Sequence, residues 1–566
     1  MYRLGSPLTD FLANRRTQTN IRKLIKFIGV FIFLFLLYGA LFQAIMSYEG
    51  QDHSWLDGFY WAIVTMSTLG YGDIVFYSEL GRIFSMVVLV SGVLFLLVLL
   101  PFTFIEFFYA PWMRAMDQAR APKELPADTR DHVIITHLDA ISEALVQKLK
   151  SYKVDYVILE PNLQKVLDLS DRGYQVIHGE QDDASTYDKL RVKNAAMVVA
   201  TGGDTINTNI TFTVREYSST VPVVVTAASP DSVDILQLAG ASNVLQMGNM
   251  LGRSLARRTL GGNARVHVIG HIDHLVIGEA TVQETPLIGK TLKESQLREN
   301  IGVNVVGVWE RGEFKQPEPD TVINEKTVLV LAGSVDQLRK YDEVLSIYHV
   351  SDHPVVIIGA GRVGRAAAKS LEEREIDYRI IDKNPERIRD PEKYILGDAA
   401  DLSVLEKAGI RKAHTTLITT HDDDVNIYLT IYCRQLCPKM QIISRTTFER
   451  NINTLHRAGS DFVMSYASMG ANSIFNILEH KDVVMLAEGL NVFNRDVGTM
   501  LVGKSLKDSD IRRKTGCTVI AISRHGELEI NPDPDRVLDK EDELILIGQF
   551  EGESRYNEVY EPAKKT

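Results

Sequence analysis

The chain has 566 residues, 24% of them charged and 45% hydrophobic, with 39 glycines and 18 prolines, so it has material for several folded domains and is not disordered, collagenous or coiled-coil. A formal net charge of −11 argues against phosphate-backbone binding and excludes nucleic acid as the main partner. Cys433, Cys437 and Cys517 are too few and wrongly spaced for a disulfide framework or a zinc site, which fits a reducing compartment.

Nearly all the long apolar runs fall before residue 110. Phe27–Met46 and Ile83–Ile105 carry no charge, and each matches the ~20 residues a helix needs to cross a bilayer. Arg3, Arg15, Arg16, Arg22, Lys23 and Lys26 precede the first run, whereas Phe27–Leu80 contain no Lys or Arg. The positive-inside tendency therefore puts the N-terminus in the cytoplasm, and two spans return the soluble body to the same side of the cell membrane. Glu49, Asp52, Asp57, Asp73 and Glu79 make the outer connection acidic.

Between the spans, Trp55–Thr68 is apolar but too short to cross, as expected of a re-entrant helix. It leads into Thr68-Leu69-Gly70-Tyr71-Gly72-Asp73, where alternate glycines permit the backbone angles that turn successive carbonyls toward one axis. With Thr65, these residues resemble the potassium-channel signature Thr-x-x-Thr-x-Gly-Tyr-Gly-Asp; Leu69 stands where that family usually has Val. The resemblance implies K+ as the permeant ion and a homotetramer, because one filter segment cannot surround an ion. In the second span, Gly92 is a candidate hinge or, equally, a small residue for close helix packing, and Leu96, Leu97 and Leu100 beside Pro101 are candidates for an apolar gate, Leu97 foremost. No span carries an Arg ladder, so gating must come from elsewhere.

Past a Pro-containing linker, an alternating α/β pattern begins and repeats. His132–Leu145 can be laid on Pro354–Ala367, and Asp155, Tyr156 and Glu160 on Asp377, Tyr378 and Asp382, at a constant offset of 222. Leu287–Ser295 likewise matches Leu501–Ser509, so the order is N-lobe, C-lobe, N-lobe, C-lobe. The pattern resembles tandem regulator-of-potassium-conductance (RCK, TrkA-like N and C) domains of ligand-gated prokaryotic two-span potassium channels, related to the peripheral subunits of Trk and Ktr transporters. The fold class so implied is an α-helical pore followed by two Rossmann-like α/β lobes, each with a small α+β C-lobe. Four chains would supply the eight domains of a gating ring acting on the inner helices. The resulting division is an N-terminus (1–26), a pore domain (27–110) with spans at 27–46 and 83–107 around a pore helix and filter at 55–73, and a linker (111–130). There follow a first N-lobe (131–250), its helical connection and C-lobe (251–349), a second N-lobe (350–470), and its connection and C-lobe (471–566).

In the second repeat Gly359-Ala360-Gly361-Arg362-Val363-Gly364 follows an apolar strand and opens a helix, so backbone N–H groups can meet phosphates, while Asp382 ends the next strand where it can hold ribose hydroxyls and repel a 2′-phosphate. This favours NAD over NADP, with ADP or ATP fitting similarly. The resemblance adds Lys383 beside Asp382, Asp398 and Ala399, Thr419, and Arg445 as a phosphate contact. In the first repeat the aligned positions are His137, Asp139, Ser142 and Thr226, so that cradle is degenerate. Asp182, Asp183 and Asp204, with Asp422, Asp423 and Asp424 in the second copy, are candidate ligands for a divalent cation such as calcium, which the family resemblance admits; solvated loops and helix caps are the plainer alternative. Two other functions are weighed. A regulatory subunit of a separate potassium transporter would lack the pore found here. A membrane-tethered NAD-dependent oxidoreductase needs a proton-transfer residue, and His414 and His421 have no recognisable catalytic companion, so no enzyme is expected.

Overall fold

The computed structural model describes residues 15–259, 266–272, 274–282, 285–310, 313–325, 327–345, 354–478, 483–485 and 490–560. They divide into two compact units, residues 1–124 with 160–178, and residues 125–159 with 179–566.

In the first unit the helix Arg15–Tyr48 is followed by the short helix Trp55–Met66 and by a long helical run starting at Glu79. The stretches Ile25–Tyr48 and Glu79–Phe104 are long and apolar enough to cross a membrane. Ser54 starts the short helix with a capping box: its hydroxyl accepts the Asp57 N–H and the Asp57 carboxylate accepts its own N–H in return. The core of this unit is aromatic. Trp61 lies 5.3 Å from Phe42, 5.1 Å from Phe76 and 5.6 Å from Phe84, ring centre to ring centre, and Phe42, Met46, Met66 and Val88 are fully buried around it.

The second membrane helix starts at Glu79 rather than 83, and the expected linker is helical in its first part, Ala110–Arg120. The prolines do not break the run, because two stretches of wider π-helical turns, Val93–Leu99 and Ile105–Tyr109, end just before Pro101 and Pro111. A wider turn carries the missing N–H and the pyrrolidine ring without the clash four residues back.

In the second unit, the first N-lobe sets parallel strands Tyr156–Glu160, Val133–Ile135, Met197–Ala200, Val223–Thr226 and Asn243–Leu245 side by side in that order. The second N-lobe has six parallel strands in the Rossmann order 3-2-1-4-5-6, with Val355–Ile358 central, between Tyr378–Asp382 and Thr415–Ile418. Each C-lobe is a five-stranded sheet with antiparallel pairing. Equivalent side chains hold both N-lobes: Asn207 and Asn426 donate to the carbonyls of Thr226 and Arg445, and Arg215 and Arg434 to those of Gly240 and Gly459. The offset of 222 ends at the second strand, because Glu160 is followed by the helix Leu163–Asp171 whereas Asp382 is followed by the single turn Pro385–Arg387.

The lobes exchange helices. Met247–Arg257, which closes the first N-lobe, packs on Arg362–Glu372 of the second, and Tyr466–Leu478, which closes the second, packs on Ala140–Ser151 of the first. The approach is close enough that a Cβ on Gly252 would stand 2.5 Å from the Val363 carbonyl oxygen, and one on Gly470 2.8 Å from the Ile141 side chain. Tyr152, just past its helix, donates to Glu553 at 2.8 Å, accepts from Asn491 at 2.8 Å and lies against Phe475, tying this bundle to the second C-lobe. Overpacking of such a contact costs about 1–3 kcal/mol. Gly252→Leu is therefore expected to lower the unfolding temperature of the full chain by several degrees in a thermal melt; an unchanged midpoint would mean that the exchanged helix does not hold the lobes together.

Candidate functional site

Two sites lie in the chain, one in each unit. In the first unit, the helix Trp55–Met66 ends at Ser67, and the next residues fold back on its last turn: the N–H groups of Leu69 and Gly70 reach the Val64 carbonyl at 3.0 and 3.3 Å. Alternate residues Thr68, Gly70 and Gly72 have φ of 65°, 53° and 73°, so left-handed and ordinary conformations alternate along Thr68–Asp73. That alternation turns successive carbonyls to one side. Tyr60 donates to Asp73 at 2.9 Å and so pins the outer end of the segment to the short helix. Gly92 is helical, with φ −62° and ψ −49°, and a Cβ there would stand 2.3 Å from Met66 Cα. It is a packing position against the base of this segment, not a bend. Leu97 lies below it, exposed, within Val93–Leu99.

The second site is a cavity of about 720 Å³ at the ends of the second N-lobe's parallel strands. The three glycines of its loop do three different things. Gly359 has φ 104°, open only to glycine at low cost; Gly361 faces open space, with nothing within 4 Å of where a Cβ would be; a Cβ on Gly364 would fall 1.8 Å from the Gly359 carbonyl oxygen. These are a tight turn, a close approach for a phosphate chain, and a close helix-to-strand packing. Thr419 fastens the loop by donating to the Gly359 carbonyl at 2.9 Å. The helix Arg362–Glu372 begins at Gly361 with no side chain capping it, so its first N–H groups remain available to an anion.

Asp382, buried, accepts the Ala360 N–H at 2.7 Å and the Asn384 N–H at 2.8 Å, and Arg387 approaches it to 3.3 Å. Lys383, Asp398 and Ala399 line the same end, and Arg362, Val363 and Arg445 the rest. Ala360 and Gly364 lie behind the wall. Arg445 is only 6% exposed; it stacks on Tyr466 at 5.3 Å and reaches His421 Nδ1 at 3.3 Å, and its Nε meets no acceptor among the described residues. Burial pushes its pKa below the ordinary value, so an anion beside it is the natural complement of this side chain. Glycine cradle, uncapped helix, ribose-side acid and buried guanidinium fit an adenosine diphosphate group.

Arg365, Arg387, His421 and Tyr466 also line the cavity, as do Ala227 and Gly248 of the first repeat. Arg387 had a signal, the turn residues that follow Asp382. Ala227 and Gly248 had none, since only the helix exchange brings them there.

In the first N-lobe the aligned residues fill their own space. Asp139 caps the helix Ala140–Ser151 by accepting the Ser142 N–H at 2.9 Å, and the His137 ring lies 2.7 Å from where a Cβ on Gly202 would be. The proposed cation ligands are occupied otherwise. Asp183 caps the helix Ala184–Lys189, Asp204 accepts the N–H groups of Ala228 and Ser229 at 2.7 and 3.0 Å, and Asp182 is exposed. No group of three or more His, Cys, Asp or Glu placed to hold a metal occurs among the described residues. Asp423, the counterpart of Asp204, ties Thr446, Thr447, Phe448 and Asn451 beside Arg445, and Asp422 caps the helix Asp423–Leu436.

Comparison with known proteins agrees with this division. Residues 30–109 match the ion channel family, 133–247 and 355–466 the TrkA-N domain, and 277–346 and 493–559 the TrkA-C domain. The chain is 30% identical to "Probable potassium channel protein 2" of Methanocaldococcus jannaschii over 38% of this chain and 69% of that one, and 29% identical to "Potassium channel protein 1" of the same organism over 36% and 67%. It is 21% identical to a Trk system potassium uptake protein TrkA homolog of Archaeoglobus fulgidus over 72% of this chain and 94% of that one. Among solved structures, the GsuK channel bound to NAD is 36% identical, with a TM-score of 0.59 over 96% of this chain and 100% of that one.

Asp423 sets one expectation. Burial raises its pKa, but the hydrogen bonds from Thr446, Asn451, Thr447 and Phe448 outweigh burial and leave it below the usual carboxylate value. A depressed folded pKa contributes stability above the unfolded value that is lost as pH falls through the folded one. Amide exchange in residues 446–451 should therefore be slow at neutral pH and speed up on acidification, and Asp423→Asn should show the faster exchange already at pH 7. Equal exchange in both proteins would refute the tie.

Proposed function

This chain belongs to the potassium channels that carry TrkA-type RCK domains, and from that premise we propose that it forms a homotetramer in the cell membrane, with both termini and the RCK domains in the cytoplasm, whose opening is set by an adenine nucleotide in the cavity of the second N-lobe. Potassium is the permeant ion. One filter segment per chain supports four copies. Four chains bring eight RCK domains, and equivalent helices of the two N-lobes expose apolar residues, Ile206 and Phe212 on one and Val425, Tyr428 and Ile431 on the other, that suit neighbours in a ring.

The observation that carries the nucleotide is Gly361, whose open face lies between the uncapped helix and Arg445 in the same cavity. Asp382 at the ribose end favours NAD; ADP and ATP present the same adenosine and diphosphate to the same groups. Asp398, Lys383 and Ala399 are assigned to the adenosine end, and Thr419 to holding the loop. The domain boundaries read from the sequence carry over, with the linker shortened to 121–130. For calcium the reading names no ligand set. Binding moves the ring toward whichever state holds the nucleotide more tightly, and the pore follows.

Recording from the purified full chain in planar bilayers under a potassium/sodium gradient tests this. A potassium-selective current whose open probability changes when NAD or ADP is added to one side only, the side bearing the RCK domains, is expected. Silence even in Leu97→Asp, which wets the gate, would overturn the reading. Gly361→Val, which meets no atom of the protein, is expected to weaken nucleotide binding at least tenfold, about 1.4 kcal/mol, without moving the melting temperature; undiminished affinity would remove the site.

A further inference from the structure

The inner helix is locked in its upper half and loose in its lower half. Above Val93, Tyr38 donates to Ser91 Oγ at 2.9 Å, Phe84 stacks on Trp61, Val88 is fully buried, and Gly92 leaves no room for even a methyl group against Met66. From Val93 to Leu99 no side chain is buried. Hydrogen bonding there runs five residues back: the Leu100 N–H reaches the Phe95 carbonyl, and the pattern recurs where the Ala110 N–H reaches that of Ile105. Pro101 and Pro111 follow these two stretches.

Wide turns of this kind have poorer packing along the axis than α-helical turns, and they persist where something prevents the ordinary turn, here the proline ring. Each wide turn holds one residue more than an α-helical turn. Removing it rotates everything below by about 100° and shifts it by about 1.5 Å along the axis. The fixed upper half cannot share that rotation, so the whole of it falls on the residues that follow.

We propose that the pore opens and closes by interconversion of wide and ordinary turns within Val93–Leu99, which turns the side chains from Leu97 downward about the helix axis while the part above Gly92 stays in place. The proposal rests on the channel reading. It places the moving joint below Gly92, and it makes the gate a rotation that replaces one ring of side chains by another, not a splaying of straight helices.

The test uses the full chain reconstituted in bilayers, with single cysteines introduced at each position from 88 to 104 and a charged, membrane-impermeant thiol reagent applied from the RCK side, with and without NAD. Exposed side chains in 94–104 make these mild substitutions. Below residue 99 the reactive positions are expected to move by one residue between the two conditions, whereas the pattern at 88–92 stays the same. An identical reactive set below 99 in both conditions, with gating intact, would overturn the proposal and leave the channel reading untouched; so would a shift that begins above Gly92. Pro101→Ala, which removes the reason for the wide turn, is expected to change the nucleotide-free open probability at least tenfold, and a wild-type response would again overturn it. Loss of potassium current in the wild type under every condition would instead fail the reading on which the proposal rests.

Discussion

A helix N-terminus points N–H groups that its own turns cannot satisfy, and the two N-lobes meet that demand in opposite ways. At the first, Asp139 supplies its own carboxylate and closes the helix from within. At the second, Gly361 supplies nothing, and the space in front of it stays open to an anion from outside. Everything else that separates the repeats follows the same division. His137 occupies the first lobe where the second has a cavity, and Thr226 stands where Arg445 carries a buried charge. One lobe is complete as it is; the other is a receptor.

The helix exchange makes that receptor a property of both repeats. The cavity is roofed in part by Ala227 and Gly248, and Tyr466, on which Arg445 stacks, opens the helix that packs on Ala140–Ser151. A ligand that draws Arg445 or the glycine loop therefore pulls at once on both exchanged helices. Asp423 and Asp204, buried or half-buried carboxylates that pin the loop after the fifth strand in each lobe, keep that pull from being absorbed locally. In the pore the corresponding device is the clamp around Trp61 and Gly92, which leaves the lower inner helix as the part free to respond.

Much of this could be read along the chain. The filter was legible because its function needs a particular backbone at consecutive residues, and backbone demands of that kind restrict residue type locally. The glycine loop and Asp382 were legible for the same reason, as were the apolar spans, whose length answers to bilayer thickness. Arg387 was a near miss: the turn that carries it is short only because the second repeat lacks the helix Leu163–Asp171 of the first.

Tertiary structure alone decided the rest. That Gly92 packs against Met66, that prolines sit within a continuous helix, that the acids near strand ends tie loops instead of gathering round a cation, and that the first repeat walls the second repeat's cavity all depend on pairs of residues far apart in sequence. Local pattern specifies which backbone a segment can adopt. Which surfaces then meet is settled by burial and close approach, and a chain read in order carries no mark of its partner.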